Sequence, residues 1–136
     1  MLAIKLTITQ MIRAFKSSDI DAIQAMNQSE GWDNLVVRHE QTLNSWKNSV
    51  AFVFEENNEV IGCIRAITDG YVSLYVCELL VHQNHRKKGI GKALMGYVHD
   101  LYPTTRMELL ATSSSKSYYE YDFRPFYGFR RTYGES

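Results

Sequence analysis

Residues 81–95 read VHQNHRKKGIGKALM. Arg86, Lys87 and Lys88 follow His85 and abut Gly89-Ile90-Gly91. The residues before Val81 form an apolar run typical of a strand, and Lys92, Ala93, Leu94 and Met95 open a helical pattern. A strand that passes through a glycine turn into a helix presents the helix's first unpaired N–H groups at the positive end of its dipole. Gly89 and Gly91 carry no Cβ, so an anion's oxygens can approach those amides closely. The stretch predicts a site for a small anion held against the backbone.

Working outward, YVSLYVCELLV (71–81) is apolar nearly throughout, which predicts a central strand covered on both faces. EVIGCIRAI and VAFVF precede it as two further strands, joined by Asn57-Asn58 and Asp69-Gly70; the latter is a tight-hairpin signal. Upstream, Ser17 and Ser18 can cap a helix over SSDIDAIQAMNQSE, where Ile20, Ile23 and Met26 make one apolar stripe. A second helix is predicted near NLVVRHEQTLNSW. LAIKLTIT alternates like an edge strand, which MIRAF continues or replaces. Downstream, GIGKALMGYVHDLY has apolar residues at helical spacing and is followed by Pro103. RMELLA reads as a buried strand, SSSKSYYEY as a short helix and FRPFYGFRRTY as terminal strands. The order β-α-α-β-β-β-α-β-α-β predicts a mixed sheet with helices on its faces.

At 136 residues the chain is expected to form one domain, residues 1–136, with a proper core. Lys+Arg and Asp+Glu both number 15, so no global field draws the chain to nucleic acid or to a membrane. Cys63 and Cys77 are too few for a disulfide framework; buried reduced thiols and a cytoplasmic location are the expectation. Lys5, Gln10 and Arg13 break the apolar N-terminus, which argues against a secretion signal, and no segment approaches membrane-spanning length. His82 and His85 have a His-x-x-His spacing, but a loop without further ligands is a poor metal site, and solvated histidines are expected there.

Three anion-site motifs compete for residues 86–92. A dinucleotide fingerprint needs a third glycine where Leu94 stands, and a P-loop needs Gly at Arg86 and Ser or Thr at Ala93. What remains is Arg-x-x-Gly-x-Gly after an apolar strand. Together with ELLVHQNHRKKGIGKALM and the order of elements, this resembles the acetyl-CoA signature of the GNAT superfamily of N-acetyltransferases. The resemblance spans nearly the full chain. It implies a mixed, mostly antiparallel sheet of about six to seven strands flanked by about four helices, with two central strands splayed apart. It also implies that the pantetheine arm of acetyl-CoA pairs with the backbone of Leu79, Leu80 and Val81 as an extra strand. The diphosphate would lie on the amides and side chains of Arg86, Lys87, Lys88, Gly89, Ile90, Gly91 and Lys92.

Forming an amide from a thioester needs a neutral amine, a positioned carbonyl and a proton for the departing thiolate. A free tyrosine has a pKa of about 10, which suits a phenol to that last task. The family places such a tyrosine shortly before a Gly-Phe pair, where this chain has SKSYYEYDF, with Asp122-Phe123 instead. Counting back from Asp122 selects Tyr118, whereas aligning the family's Phe-Tyr-Glu onto 118–120 selects Tyr119; the departure from Gly-Phe leaves the register open. Relatives put their base at positions matching Tyr75 or Cys77, which carry no carboxylate here, and that mismatch points to Glu78 or to a water chain. Strand alternation and an expected bulge leave the direction of Glu78 undecided, and a structural role competes with a catalytic one. Trp32, with Glu30 and Asp33 beside it, is a core residue with a second reading as part of an amine pocket.

The resemblance implies acetyl transfer by direct attack in a ternary complex, since no cysteine is placed for an acyl intermediate. The acceptor is expected to be a small-molecule primary amine, with a homodimer expected by analogy alone. A protein or peptide acceptor is the alternative within this class. A coenzyme-A-binding module without catalysis is the alternative from another class.

Overall fold

The computed structural model describes residues 8–112 and 114–135. Five strands form one sheet in sequence order among these residues. They are β1 (Ile12–Ala14), β2 (Val50–Glu56), β3 (Glu59–Thr68), β4 (Ser73–Val81) and β5 (Arg106–Leu109). The first four pair antiparallel, and β5 joins β4 in parallel. The helices are α1 (Ile20–Ser29), α2 (Asp33–Val37), α3 (His39–Lys47), α4 (Ile90–Leu101) and α5 (Lys116–Tyr119). This is the mixed architecture that the sequence pattern predicts. No described helix is long and apolar enough to cross a membrane.

Each face of the sheet buries its own cluster. Leu94, Met95, Val98 and Ile90 of α4 pack on Phe54, Ile64, Ala66, Leu74 and Val76. On the opposite face Ile20, Ile23 and Met26 of α1, with Trp46 of α3, pack on Val53, Cys63 and Leu80. The predicted stripe Ile20-Ile23-Met26 is therefore the buried face of α1. Gly62 lies under α4, where an added Cβ would stand 2.9 Å from Ile90 Cγ2 and 3.4 Å from Leu94 Cδ1. That close approach seats α4 against β3.

Several local expectations change. The reading of residues 2–9 as a strand lies for 2–7 outside the described residues, and residues 8–10 are helical. The first described strand sits instead inside MIRAF. Ser17 and Ser18 belong to a 3-10 turn, with no serine cap. Asp19 organises the start of α1 by accepting from the amide of Lys16 at 2.8 Å and from two Arg13 nitrogens at 2.9 Å. The predicted second helix breaks at Arg38 into α2 and α3, because the carbonyl of Leu35 turns to accept from Thr42 Oγ1 and Gln24 Nε2. Asn57 and Asn58 both have positive φ, as a two-residue hairpin demands. Asp69-Gly70, by contrast, opens a longer connection, in which Asp69 Oδ1 caps the amides of Tyr71, Val72 and Ser73.

The largest difference is C-terminal. FRPFYGFRRTY forms no strand, so the described sheet stops at five strands rather than six or seven. Residues 124–132 run without turn or ladder, and Phe126, Tyr127, Phe129 and Tyr133 are exposed. Its aromatic residues give this segment strand propensity, but propensity alone supplies no partner for the backbone.

Asp19 provides a stability test. Burial would raise its carboxyl, but the Arg13 and Lys16 hydrogen bonds outweigh that and hold it below the usual carboxylate range. A depressed carboxyl stabilises above its unfolded pKa of about 3.9 and loses that contribution as pH falls. Asp19→Asn should therefore cost about 1–3 kcal/mol at pH 7. In urea unfolding the gap from wild type should narrow as pH drops below about 4.

Candidate active site

The β4–β5 ladder runs only from Ser73 opposite Arg106 to Val76 opposite Leu109. β4 then continues to Val81, paired with β3 alone. The sheet is split there, and the backbone of Leu79–Val81 borders the split. A one-residue bulge marks where it opens. Arg65 faces Glu78 and Ala66 faces Val76, so Cys77 has no partner on β3. The extra residue reverses the alternation of side chains. Leu74 and Val76 lie under α4 before it, as do Leu79 and Val81 after it, while Leu80 turns to the α1–α3 face.

Beyond Val81, a 3-10 turn over Gln83–His85 begins with His82 Nδ1 accepting from the amide of Asn84 at 3.1 Å. Lys87 and Gly89 then adopt left-handed conformations, with φ of 67° and 81°, before α4 starts at Ile90. For Lys87 this backbone is unusual, and a chain kinked in this way can present successive amides to an anion. Lys87 and Lys88 are exposed. The side chain of Arg86 turns back instead: Nε donates to the Val81 carbonyl at 3.2 Å and Nη2 to Glu30 of α1. The loop is thereby tied to the end of α1, beside a cavity of about 220 Å³ lined by Met26, Glu30, Val60, Val81, His82 and Arg86. Glu30, read from sequence as a neighbour of an amine pocket, is the partner of this arginine.

The two candidate tyrosines separate clearly. An added Cβ on Gly91 would fall well inside contact distance of the Tyr118 hydroxyl and 3.5 Å from Leu79 Cδ2. The phenol of Tyr118 therefore stands where the glycine turn of α4 meets the split portion of β4. It is half-exposed, and burial, followed by the charge of Asp122, raises its pKa above the ordinary value. Tyr119 stacks edge-on between Tyr118 and Phe123 and packs against the α4-side core. Burial pushes its hydroxyl up to about 12. Lys92 Nζ lies 3.7 Å from Asp122, drawing the α5 segment towards α4.

Glu78 emerges on the α1–α3 face, buried, directly across from Arg65. Both carboxylate oxygens accept from the guanidinium, through Nε and Nη2. Arg65 Nη1 also reaches Ser49 Oγ at 3.2 Å. Sequence reading singled out neither Arg65 nor the Glu30–Arg86 contact. A lone arginine inside the apolar run EVIGCIRAI was the available signal, because a half-buried charge requires a partner. Cys63 is fully buried and Cys77 half-buried. Burial raises both thiols, with the charge of Glu78 adding to the effect at Cys63. Among the described residues no group of His, Cys, Asp and Glu could hold a metal ion.

The arrangement brings the split end of β4, the glycine turn and a phenol together, and the Tyr118 hydroxyl fills the space that a Cβ on Gly91 would need. An elongated ligand with an anionic middle fits these features. Comparison with known structures gives the same fold. A GNAT-family protein of Xanthomonas campestris pv. campestris superposes with a TM-score of 0.73 at 22% identity, over 90% of this chain and 93% of that one. An aminoglycoside acetyltransferase from an uncultured soil metagenomic sample gives 0.70 at 13% identity, over 92% and 97%. An N-acetylglutamate synthase from Neisseria gonorrhoeae, complexed with coenzyme A and N-acetyl-glutamate, gives 0.67 at 20% identity, over 81% and 27%. No curated protein matches the sequence. The acetyltransferase (GNAT) domain profile matches residues 47–125, from the end of α3 through the tyrosine helix. Split strand, glycine turn and tyrosine helix all lie inside that match, and the chain belongs to the GNAT family of acetyltransferases, whose acetyl donor is acetyl-CoA.

Proposed function

We propose that this chain transfers an acetyl group from acetyl-CoA to the primary amine of a small molecule, by direct attack within a ternary complex. The convergence of the Tyr118 hydroxyl, Gly91 and Leu79 carries the reading. A proton donor at this point would lie beside both the glycine turn and the split portion of β4. In this reading, Leu79–Val81 hold the pantetheine arm and residues 86–92 hold the diphosphate. The amine nitrogen attacks the thioester carbonyl; a C–N bond forms and the C–S bond breaks. Tyr118 gives its proton to the departing thiolate and regains one from solvent. The proton lost by the amine passes to water or to Glu78.

Two observations favour direct attack over an acyl-cysteine route. A thiol acts as a nucleophile through its thiolate, and burial disfavours that form at Cys63 and at Cys77. Tyr118 is preferred to Tyr119 because the latter hydroxyl is further buried and its ring packs into the core. The buried carboxylate of Glu78, in the split portion of β4, favours a cationic acceptor.

The test is release of free thiol from acetyl-CoA across small amines, aminoglycosides and peptides, beside calorimetry with coenzyme A. Turnover with a small amine supports the proposal, whereas turnover with peptides alone reassigns the acceptor. Coenzyme binding without turnover on any amine would make the chain a binding module, and absence of binding would overturn the reading entirely.

A further inference from the structure

The Arg65–Glu78 pair lies outside the coenzyme cleft, on the opposite face of β4 from Leu79 and Val81. It is the cross-strand pair at the bulge, two residues beyond Val76, the last β4–β5 ladder position on β4. The side chain of Glu78 is 8% exposed and that of Arg65 17%. A bidentate fork fixes a carboxylate in orientation as well as in position. The guanidinium is itself anchored: Ser49 Oγ accepts from Nη1 and donates onward to the carbonyl of Ser45, in α3, at 2.7 Å. A relay of polar contacts thus runs from α3 through β3 to the bulge of β4. The other titratable groups that interact with this pair are Cys63 on β3 and Tyr75 and Cys77 on β4, and burial disfavours both thiolates. Arg65 is therefore the cation that fixes this carboxylate. It uses one hydrogen-bonding site on each oxygen, and a carboxylate offers about four, so Glu78 keeps acceptor capacity.

We infer that Arg65 is a positioning residue for the acceptor, holding Glu78 as a fixed counter-charge for an incoming ammonium group. This rests on the acetyl-transfer reading above and deepens it: the acceptor is cationic, and its amine approaches from the α1–α3 side of β4. Packing alone would be served by any well-fitting apolar pair, since buried ion pairs are poor sources of stability. The anchored fork instead supplies a charge of defined direction beside the split.

The test uses Arg65→Lys, Glu78→Gln and the double variant, assayed with the best small amine from the panel at saturating acetyl-CoA. Lysine keeps the positive charge but gives a point contact in place of the planar fork. Arg65→Lys should lower kcat about tenfold and raise the amine KM, since small misplacements of a positioned group slow reactions by up to about a hundredfold. The acetyl-CoA KM and the heat of coenzyme A binding should stay at wild-type values. In the Glu78→Gln background the lysine change should add no further loss, because coupled residues are not additive. Circular dichroism and thermal melts check that each variant folds. Wild-type kcat and amine KM in folded Arg65→Lys would overturn the inference, as would an equal further loss in the double variant. Should Arg65→Lys fail to fold, Arg65→Gln/Glu78→Gln decides, and wild-type values there overturn it too. Failure of the wild type to bind coenzyme A or to release thiol is a different result, against acetyl transfer itself.

Discussion

Replacing Tyr118 with phenylalanine is expected to lower kcat by about a hundredfold or more, the usual contribution of a positioned general acid. Coenzyme A affinity should be unchanged, because the ring remains and only the hydroxyl beside Gly91 is lost. The pH dependence gives a second reading of the same residue. Burial and Asp122 raise its pKa above the ordinary value of about 10. The phenol therefore stays protonated through neutral pH, and its activity is lost only as pH rises through that raised value. The wild-type rate should hold its plateau past pH 9, estimated from the ordinary tyrosine value of about 10. Tyr119→Phe should keep most of the rate. An unchanged kcat in Tyr118→Phe would remove that residue from the chemistry, and steady-state kinetics at saturating acetyl-CoA decide it.

Gly91→Ala is the second change with a large expected effect. Its methyl group would collide with the Tyr118 hydroxyl, while Leu79 Cδ2 at 3.5 Å is ordinary contact. The end of a side chain gives way more easily than backbone, so the protein should fold and the phenol should retreat. Displacing a catalytic group by about 1 Å can cost up to about a hundredfold in rate, so a fall in kcat of that order is expected. Affinity for acetyl-CoA should weaken as well, since the methyl group narrows the approach to the first amides of α4. In a Tyr118→Phe background the collision is absent, so Gly91→Ala should lower affinity without a further fall in kcat. Gly89 is a useful contrast. Nothing lies within 4 Å of an added Cβ there, but φ is +81°. Gly89→Ala should cost about 1–2 kcal/mol of backbone strain with no displacement of the tyrosine. Parallel thermal melts and kinetics distinguish the two glycines.

Much of the fold was legible in sequence because its periodicities are strong. The stripe of α1, the three strands before the glycine turn and the amphipathic α4 each express one spacing over many residues. What failed depends on partners, distant in one case and local in another. FRPFYGFRRTY has the composition of a strand, but pairing is a property of two segments, and its backbone joins no ladder. Asp69-Gly70 looked like a two-residue hairpin, yet the Asp69 side chain captures three amides and lengthens the turn.

At the site, the glycine turn and the tyrosine pair were readable from motif and spacing. Which tyrosine stands at Gly91 was not, since Tyr118 and Tyr119 are adjacent and differ only in how α5 lies on α4. The direction of Glu78 depended on whether Cys77 pairs with β3, a register fact that no single strand contains. Arg65 was hidden for the same reason, because its role is defined by the residue opposite.

The unpaired Cys77 has a consequence for how this strand tolerates change. Substituting it should matter little, but shortening β4 by that one position would restore strict alternation and interchange the surroundings of every residue downstream. A carboxylate would be driven beneath an aliphatic helix, and Leu79 would leave the cleft wall. A single surplus peptide unit thus acts as the crossover that lets one continuous strand show two opposite chemistries to its two sides.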